Sequence, residues 1–146
     1  LGVCSFAALS TTIKVGRGDP EHPNGMQWEE LVKTSRDHSS YKFSIWSREA
    51  GRQSYSWKRT HDSNIKDNKS SKLDRRSWKL LDDSTGEVVA AFVARGILKS
   101  WNKMGILRIR VTNDRAWEQW VLLTALGMYE KARRRAIARR DLSWFF

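Results

Sequence analysis

The window Trp120–Tyr129 reads WVLLTALGMY and holds no charged residue, and the chain switches at once to EKARRRAIARR. A helix that is apolar on every side cannot lie on a protein surface and has to be enclosed. Ten residues fall short of the roughly 18 that a membrane span needs. The window is therefore expected to be a core helix, and the sequence predicts no transmembrane segment. Most of what precedes it is strand-like, so the expectation is a sheet wrapped around a C-terminal helix.

The strands announce themselves by alternation. Tyr41, Phe43 and Ile45 fall on one face of 41–47, with Lys42, Ser44 and Trp46 on the other; Tyr55 and Trp57 oppose Ser56 and Lys58 in the same way. Gly51-Arg52 lies in the short connection, which predicts a hairpin. Ser77–Leu81 and Val88–Ala94 flank DDSTGE. Thr85-Gly86 offers a residue able to take positive φ there, so this is the clearest hairpin in the chain. Val88–Val93 is apolar on both faces, as in a strand covered on both sides. Ile97–Trp101 and Ile106–Val111 form a further predicted hairpin around Asn102–Gly105. Val3–Leu9 and Thr12–Val15 also read as strands, ended by the run Gly16-Arg17-Gly18-Asp19-Pro20. Gln27–Lys33 stays open between short helix and strand, since seven residues carry too little periodicity. His61–Arg76 is polar, charged and aperiodic, which marks a mobile loop over 61–76. Asn113 or Asp114 can cap a helix with Glu118 in its first turn, running over 114–140. Trp144-Phe145-Phe146 either folds back or is disordered.

At 146 residues the chain is the size of one domain. Its net charge is +11, and sixteen basic against seven acidic side chains fall in residues 41–110. Such a field draws polyanions: nucleic acid, anionic lipid head groups or acidic proteins. The one cysteine, Cys4, excludes an intramolecular disulfide framework and points to a reducing, intracellular compartment, cytoplasmic, membrane-peripheral or nuclear. The opening LGVCSFAAL lacks the basic segment of a signal peptide. It reads as a strand whose partners lie upstream, which predicts an N-terminally truncated domain with apolar flanks of Val3–Leu9 or of the helix left partly uncovered.

Few residues offer catalysis. His22, His38 and His61 sit in polar stretches without metal-ligand spacing, no phosphate-binding glycine loop occurs, and Asp82-Asp83 belongs to a turn where acids are ordinary. The expectation is a protein that is not an enzyme and needs no cofactor or metal. The basic residues carry more information. Lys58, Lys79, Arg108 and Arg110 are the polar members of alternating strands, and Arg59 adjoins Lys58 in WKRT. If these strands are neighbours, the five form a basic stripe outside the sheet, suited to gripping phosphate. Lys131, Arg133, Arg134 and Arg135 make a second basic run with the look of a nucleic-acid or nuclear-localisation patch. At ~100° per residue their charges fall on all sides, as at the solvated exit of a core helix.

Taken together, WEEL at 28–31, WKRT at 57–60, KLLDDSTGEVVAAF at 79–92, GILRIR at 105–110 and VLLTALGMYEKARRR at 121–135 resemble a fungal family of uncharacterised tubby C-terminal-like proteins. The similarity runs from about Gly16 to Arg135. The resemblance implies the fold of the tubby and scramblase-like superfamily, a β-barrel around a hydrophobic C-terminal helix. It implies anionic phospholipid, phosphoinositide above all, as a ligand class, though no motif for the family's binding residues occurs here. The expected fold is thus mainly β (α+β): one antiparallel β-barrel, incomplete, wrapped around a hydrophobic C-terminal α-helix. The expected role is peripheral binding of anionic membrane lipid, with a nucleic-acid-binding or protein-interaction module, using the basic run and loop, as the alternative.

Overall fold

The computed structural model describes residues 2–7, 10–37, 39–60, 77–94 and 105–138. Eight strands precede one helix: β1 (Gly2–Phe6), β2 (Thr12–Arg17), β3 (Gln27–Lys33), β4 (Ser40–Ser47), β5 (Gly51–Arg59), β6 (Ser77–Asp82), β7 (Val88–Ala94), β8 (Gly105–Ile109) and α1 (Arg115–Ala138). They form a single sheet in chain order, each strand antiparallel to the next. The sheet curls into a half-barrel, and α1 packs against it.

Alternation sorts the two faces. In β4 and β5, Tyr41, Phe43, Ile45, Tyr55 and Trp57 are buried, and they meet Trp78 and Leu80 of β6 and Ala90 and Phe92 of β7. Phe43 and Tyr55 are register partners and stack at 5.6 Å between ring centroids. From α1 come Trp117, Trp120, Val121, Ala125 and Met128. The helix contacts β1 and β2 at one end of the sheet and β7 and β8 at the other. It therefore fills the side on which a closed barrel would join its first and last strands. A buried side-chain bond fixes its rotation: Trp57 Nε1 donates to Thr124 Oγ1 at 2.9 Å, and that hydroxyl donates to the Val121 carbonyl at 3.0 Å. Asp114 starts the helix, its carboxylate accepting from the Trp117 amide at 2.7 Å. Glu118 stands in the first turn, where the dipole favours an acid.

The hairpin at 82–87 is as the sequence predicts, with Gly86 at φ 75° and its amide donating to the Asp82 carbonyl at 2.7 Å. One open reading is decided and two local expectations are corrected. Gln27–Lys33 is a strand, because six of its residues pair with β2. The glycine-rich break starts later than expected: β2 continues through Gly16 and Arg17, which pair with β1 on one side and β3 on the other. Gly105 belongs to β8 rather than to a turn, opposite Ala94. The loop over 61–76, the strand Ile97–Trp101, the helix end beyond Ala138 and the terminal aromatic residues lie outside the described residues.

The helix is not enclosed on every side. Among the described residues β1 and β8 do not pair, and along the open side Leu122 is 40% exposed and Ile137 51%. Among the described residues no helix is long and apolar enough to cross a membrane.

Gly127 faces the sheet, and a methyl group there would sit 3.5 Å from Cys4 Sγ and 3.6 Å from Ile13 Cγ2, ordinary contact distances. Gly127→Ala is expected to raise stability by about 0.5–1 kcal/mol, the helix-propensity difference, in urea denaturation. A loss of stability would show that the helix seats more tightly than these distances imply.

Candidate functional site

The pairing of β5 to β8 puts three of the predicted cations into one transverse row. Lys58 lies directly opposite Lys79, Lys79 opposite Ala91, and Ala91 opposite Arg108. Their strand neighbours Trp57, Leu80 and Leu107 belong to or pack on the core, so the row occupies the convex outer face. At about 4.8 Å per strand it spans roughly 15 Å. The alternation of β8 carried one residue further puts Arg110 on the same face, and its amide donates to the Val89 carbonyl at 2.9 Å. Among the described residues no acidic side chain pairs with Lys58 or Lys79. Like charges directly opposite in a sheet disfavour the pairing by roughly 0.2–1 kcal/mol, so the sequence accepts a local cost here.

Arg59 does not join the row. It pairs with Trp78 on the inner face, its guanidinium carbon 5.3 Å from the centre of that indole ring. One residue along a strand reverses direction, which separates Arg59 from Lys58.

The second basic run is knitted into the rim of the half-barrel. Lys131 Nζ donates to the Ser10 carbonyl at 2.9 Å and sits 6.0 Å from the centre of the Tyr41 ring. Burial, then the charges of Lys33 and Arg135, push its ammonium below the ordinary lysine range. Arg133 donates from Nε and Nη2 to the two Glu130 oxygens, each at 2.8 Å. Arg134 donates to the same carboxylate at 2.8 Å and lies 4.4 Å from the centre of the Phe6 ring. Arg135 stands beside Tyr41, whose hydroxyl burial pushes above its ordinary value. These side chains are half-buried apart from Arg134. Arg134, Ile137 and Ala138 are exposed at this end, while Ser10, Tyr41 and Phe6 hold the cations against the rim, a convergence of which the sequence gives no hint.

Two outer-face groups escaped the sequence reading. Lys42 Nζ lies 3.4 Å from Asp83 Oδ2, and Ser56 Oγ donates to Asp83 Oδ1 at 2.7 Å. Asp82 accepts from the amide and hydroxyl of Ser84 at 2.9 and 2.6 Å. Both carboxylates therefore serve the hairpin and its neighbours, consistent with their turn position. His22 Nδ1 lies 2.8 Å from Asp19 Oδ2 on the surface, while His38 and His61 lie outside the described residues. Among the described residues no three His, Cys, Asp or Glu side chains gather to hold a metal ion. The chain matches no protein-family model, no curated protein and no solved structure.

The hydrogen bonds from Arg133, joined by those from Arg134, hold the Glu130 carboxyl at about 2, down from 4.5, against the opposing effect of burial. A depressed carboxylate contributes stability above its unfolded value and loses it as pH falls toward the folded one. Between about pH 4.5 and about pH 2 the native protein is therefore expected to lose more thermal stability than Glu130→Gln. Parallel profiles would show that the Glu130 clamp adds nothing to the fold.

Proposed function

We propose that the protein is a non-enzymatic module that binds anionic phospholipid head groups at a membrane surface through Lys58, Lys79 and Arg108, with Arg110 beside them. The observation that carries this reading is the direct opposition of Lys58 and Lys79, continued in register to Arg108 across the small Ala91. Stacking like charges in adjacent strands disfavours their pairing. A surface that neutralises them returns the repulsion as binding energy. Arginine adds bidentate phosphate contacts to the point charges of lysine. The resemblance of the sequence motifs to tubby-like proteins implies the same ligand class.

The nucleic-acid alternative drew on the run from Lys131 to Arg135. Glu130 engages two of its cations, and Lys131 is turned back to Ser10, which leaves that run less available to a polyanion than Lys58 and Lys79.

Co-sedimentation with vesicles of phosphatidylcholine alone, and of phosphatidylcholine with phosphatidylserine or a phosphoinositide, tests the proposal. Binding is expected with the acidic vesicles only. At about 1 kcal/mol per cation near such a surface, replacing Lys58, Lys79 and Arg108 together by Gln should weaken it on the order of a hundredfold. Equal binding to neutral vesicles, or no loss in the triple variant, would overturn the reading.

A further inference from the structure

One end of the half-barrel gathers cations on its inner side. Lys33 closes β3 and Arg59 closes β5, while Tyr41 and Trp78 stand second in β4 and β6. Lys33 is the register partner of Tyr41, and Arg59 that of Trp78. Register partners share a face of the sheet, so both cations lie on the side of these two core rings, whose centroids are 6.0 Å apart. The helix adds Lys131 and Arg135, four residues apart and therefore on one face. Lys131 Nζ lies 6.0 Å from the centre of the Tyr41 ring. Arg135 reaches the Tyr41 hydroxyl, and the charge of Arg59 acts on it as well. Lys33 and Arg135 in turn act on the Lys131 ammonium. Lys33, Arg59, Lys131 and Arg135 thus surround one phenol, and all of them are half-buried.

The carboxylates described at this end are engaged elsewhere. Glu130 is held by Arg133 and Arg134, and Asp37, in the turn from β3 to β4, accepts from Ser39 Oγ at 2.5 Å. Among the described residues Lys33, Lys131 and Arg135 make no ion pair, and Arg135 Nη1 is buried without a hydrogen-bond partner. A cation in the last turn of a helix complements the dipole, which accounts for Arg135. It does not account for Lys33 and Arg59, which reach the same ring from two strands. Half-buried like charges disfavour one another, and an anion among them removes that cost. The donors are also set in advance. The Arg59 guanidinium lies over the Trp78 indole, 5.3 Å from its centre, and the Ser10 carbonyl holds Lys131 Nζ at 2.9 Å. Preorganised groups bind at a lower ordering cost, and guanidinium groups match the oxygens of a phosphate two at a time.

We infer that this end of the half-barrel binds a phosphate group among Lys33, Arg59, Lys131 and Arg135, beside the Tyr41 hydroxyl. The phosphate group of a soluble phosphorylated metabolite and that of a lipid head group present the same chemistry to these residues. The site lies on the opposite side of the sheet from Lys58, Lys79 and Arg108, so binding here is independent of the outer row.

The test titrates the intact protein with inorganic phosphate at neutral pH, with chloride holding the ionic strength constant, and follows the Tyr41 ring and the Lys131 side chain by NMR. Saturable shifts of both are expected with phosphate and none with chloride alone. Lys131→Gln and Arg135→Gln should each weaken phosphate binding by about tenfold, the loss of one charge-assisted contact. Arg135→Lys keeps the charge without the fork and should fall between Arg135→Gln and the native protein. Melting in the absence of phosphate identifies the variants that keep the fold. The combined replacement of Lys58, Lys79 and Arg108 by Gln should leave phosphate binding unchanged, which separates this site from the outer row. Glycerol phosphate and a short-chain phosphatidic acid carry the group without and with acyl chains, and the one that binds at lower concentration names the source. Shifts that fail to saturate, or that persist unchanged in folded Lys131→Gln and Arg135→Gln, would overturn the inference. So would their loss in the outer-row variant, which would assign the phosphate to that face.

Discussion

The hydrogen bond from Trp57 to Thr124 ties the centre of the sheet to the centre of the helix, and both residues are almost wholly buried. A hydroxyl inside an apolar helix segment has to find partners or disfavour burial by about 1–3 kcal/mol. Thr124 finds them on both sides, accepting from the indole and donating to Val121. This fixes which face of α1 meets the sheet. Val121, Ala125 and Met128 then turn inward, Leu122 lines the open side, and Gly127 approaches β1, β2 and β3. The curl of the sheet follows, because the inward rows of eight strands need one apolar body to close upon.

That arrangement decides what the outer face is free to do. With the inward rows committed to the helix, alternate strand residues turn to the convex side, exposed at Lys58 and Arg108 and buried at Ser77, Val89 and Ala91. There the sequence places Lys58, Lys79 and Arg108 in register instead of scattering them. The basic run at the helix end, which carries the denser charge in sequence, is drawn into the rim by Ser10, Tyr41 and Phe6. Charge density along a chain and charge available to a ligand are different quantities, and strand pairing converts one into the other.

The helix and its hairpins were legible in the sequence for definite reasons. Trp120–Tyr129 has no charge, and Tyr41 to Ile45 alternate without exception. Asp82 to Glu87 combine an Asx turn with a glycine at positive φ. Gln27–Lys33 was not legible, because Trp28, Leu31 and Val32 fit a helical spacing as well as a strand, and only pairing with β2 decides. The end of β2 was hidden in the same way, since Gly16 signals a break that two flanking strands override. Of the site, the outward direction of Lys58, Lys79, Arg108 and Arg110 could be read from alternation. Their alignment could not, because it depends on a register that includes a shift between Leu80 and Leu81. The shortness of the β3–β4 ladder, two pairs, has no sequence signature either.

A double-mutant cycle between Trp57→Phe and Thr124→Val, read by urea denaturation, tests most directly whether sheet and helix form one unit through this bond. Each single change is expected to destabilise by about 1–3 kcal/mol, since each strands a buried partner. The double variant should fall short of their sum by at least about 0.5 kcal/mol, the coupling of groups in contact. Effects that add to within about 0.3 kcal/mol would mean that the helix is held by apolar contact alone and that the bond does not set its seat.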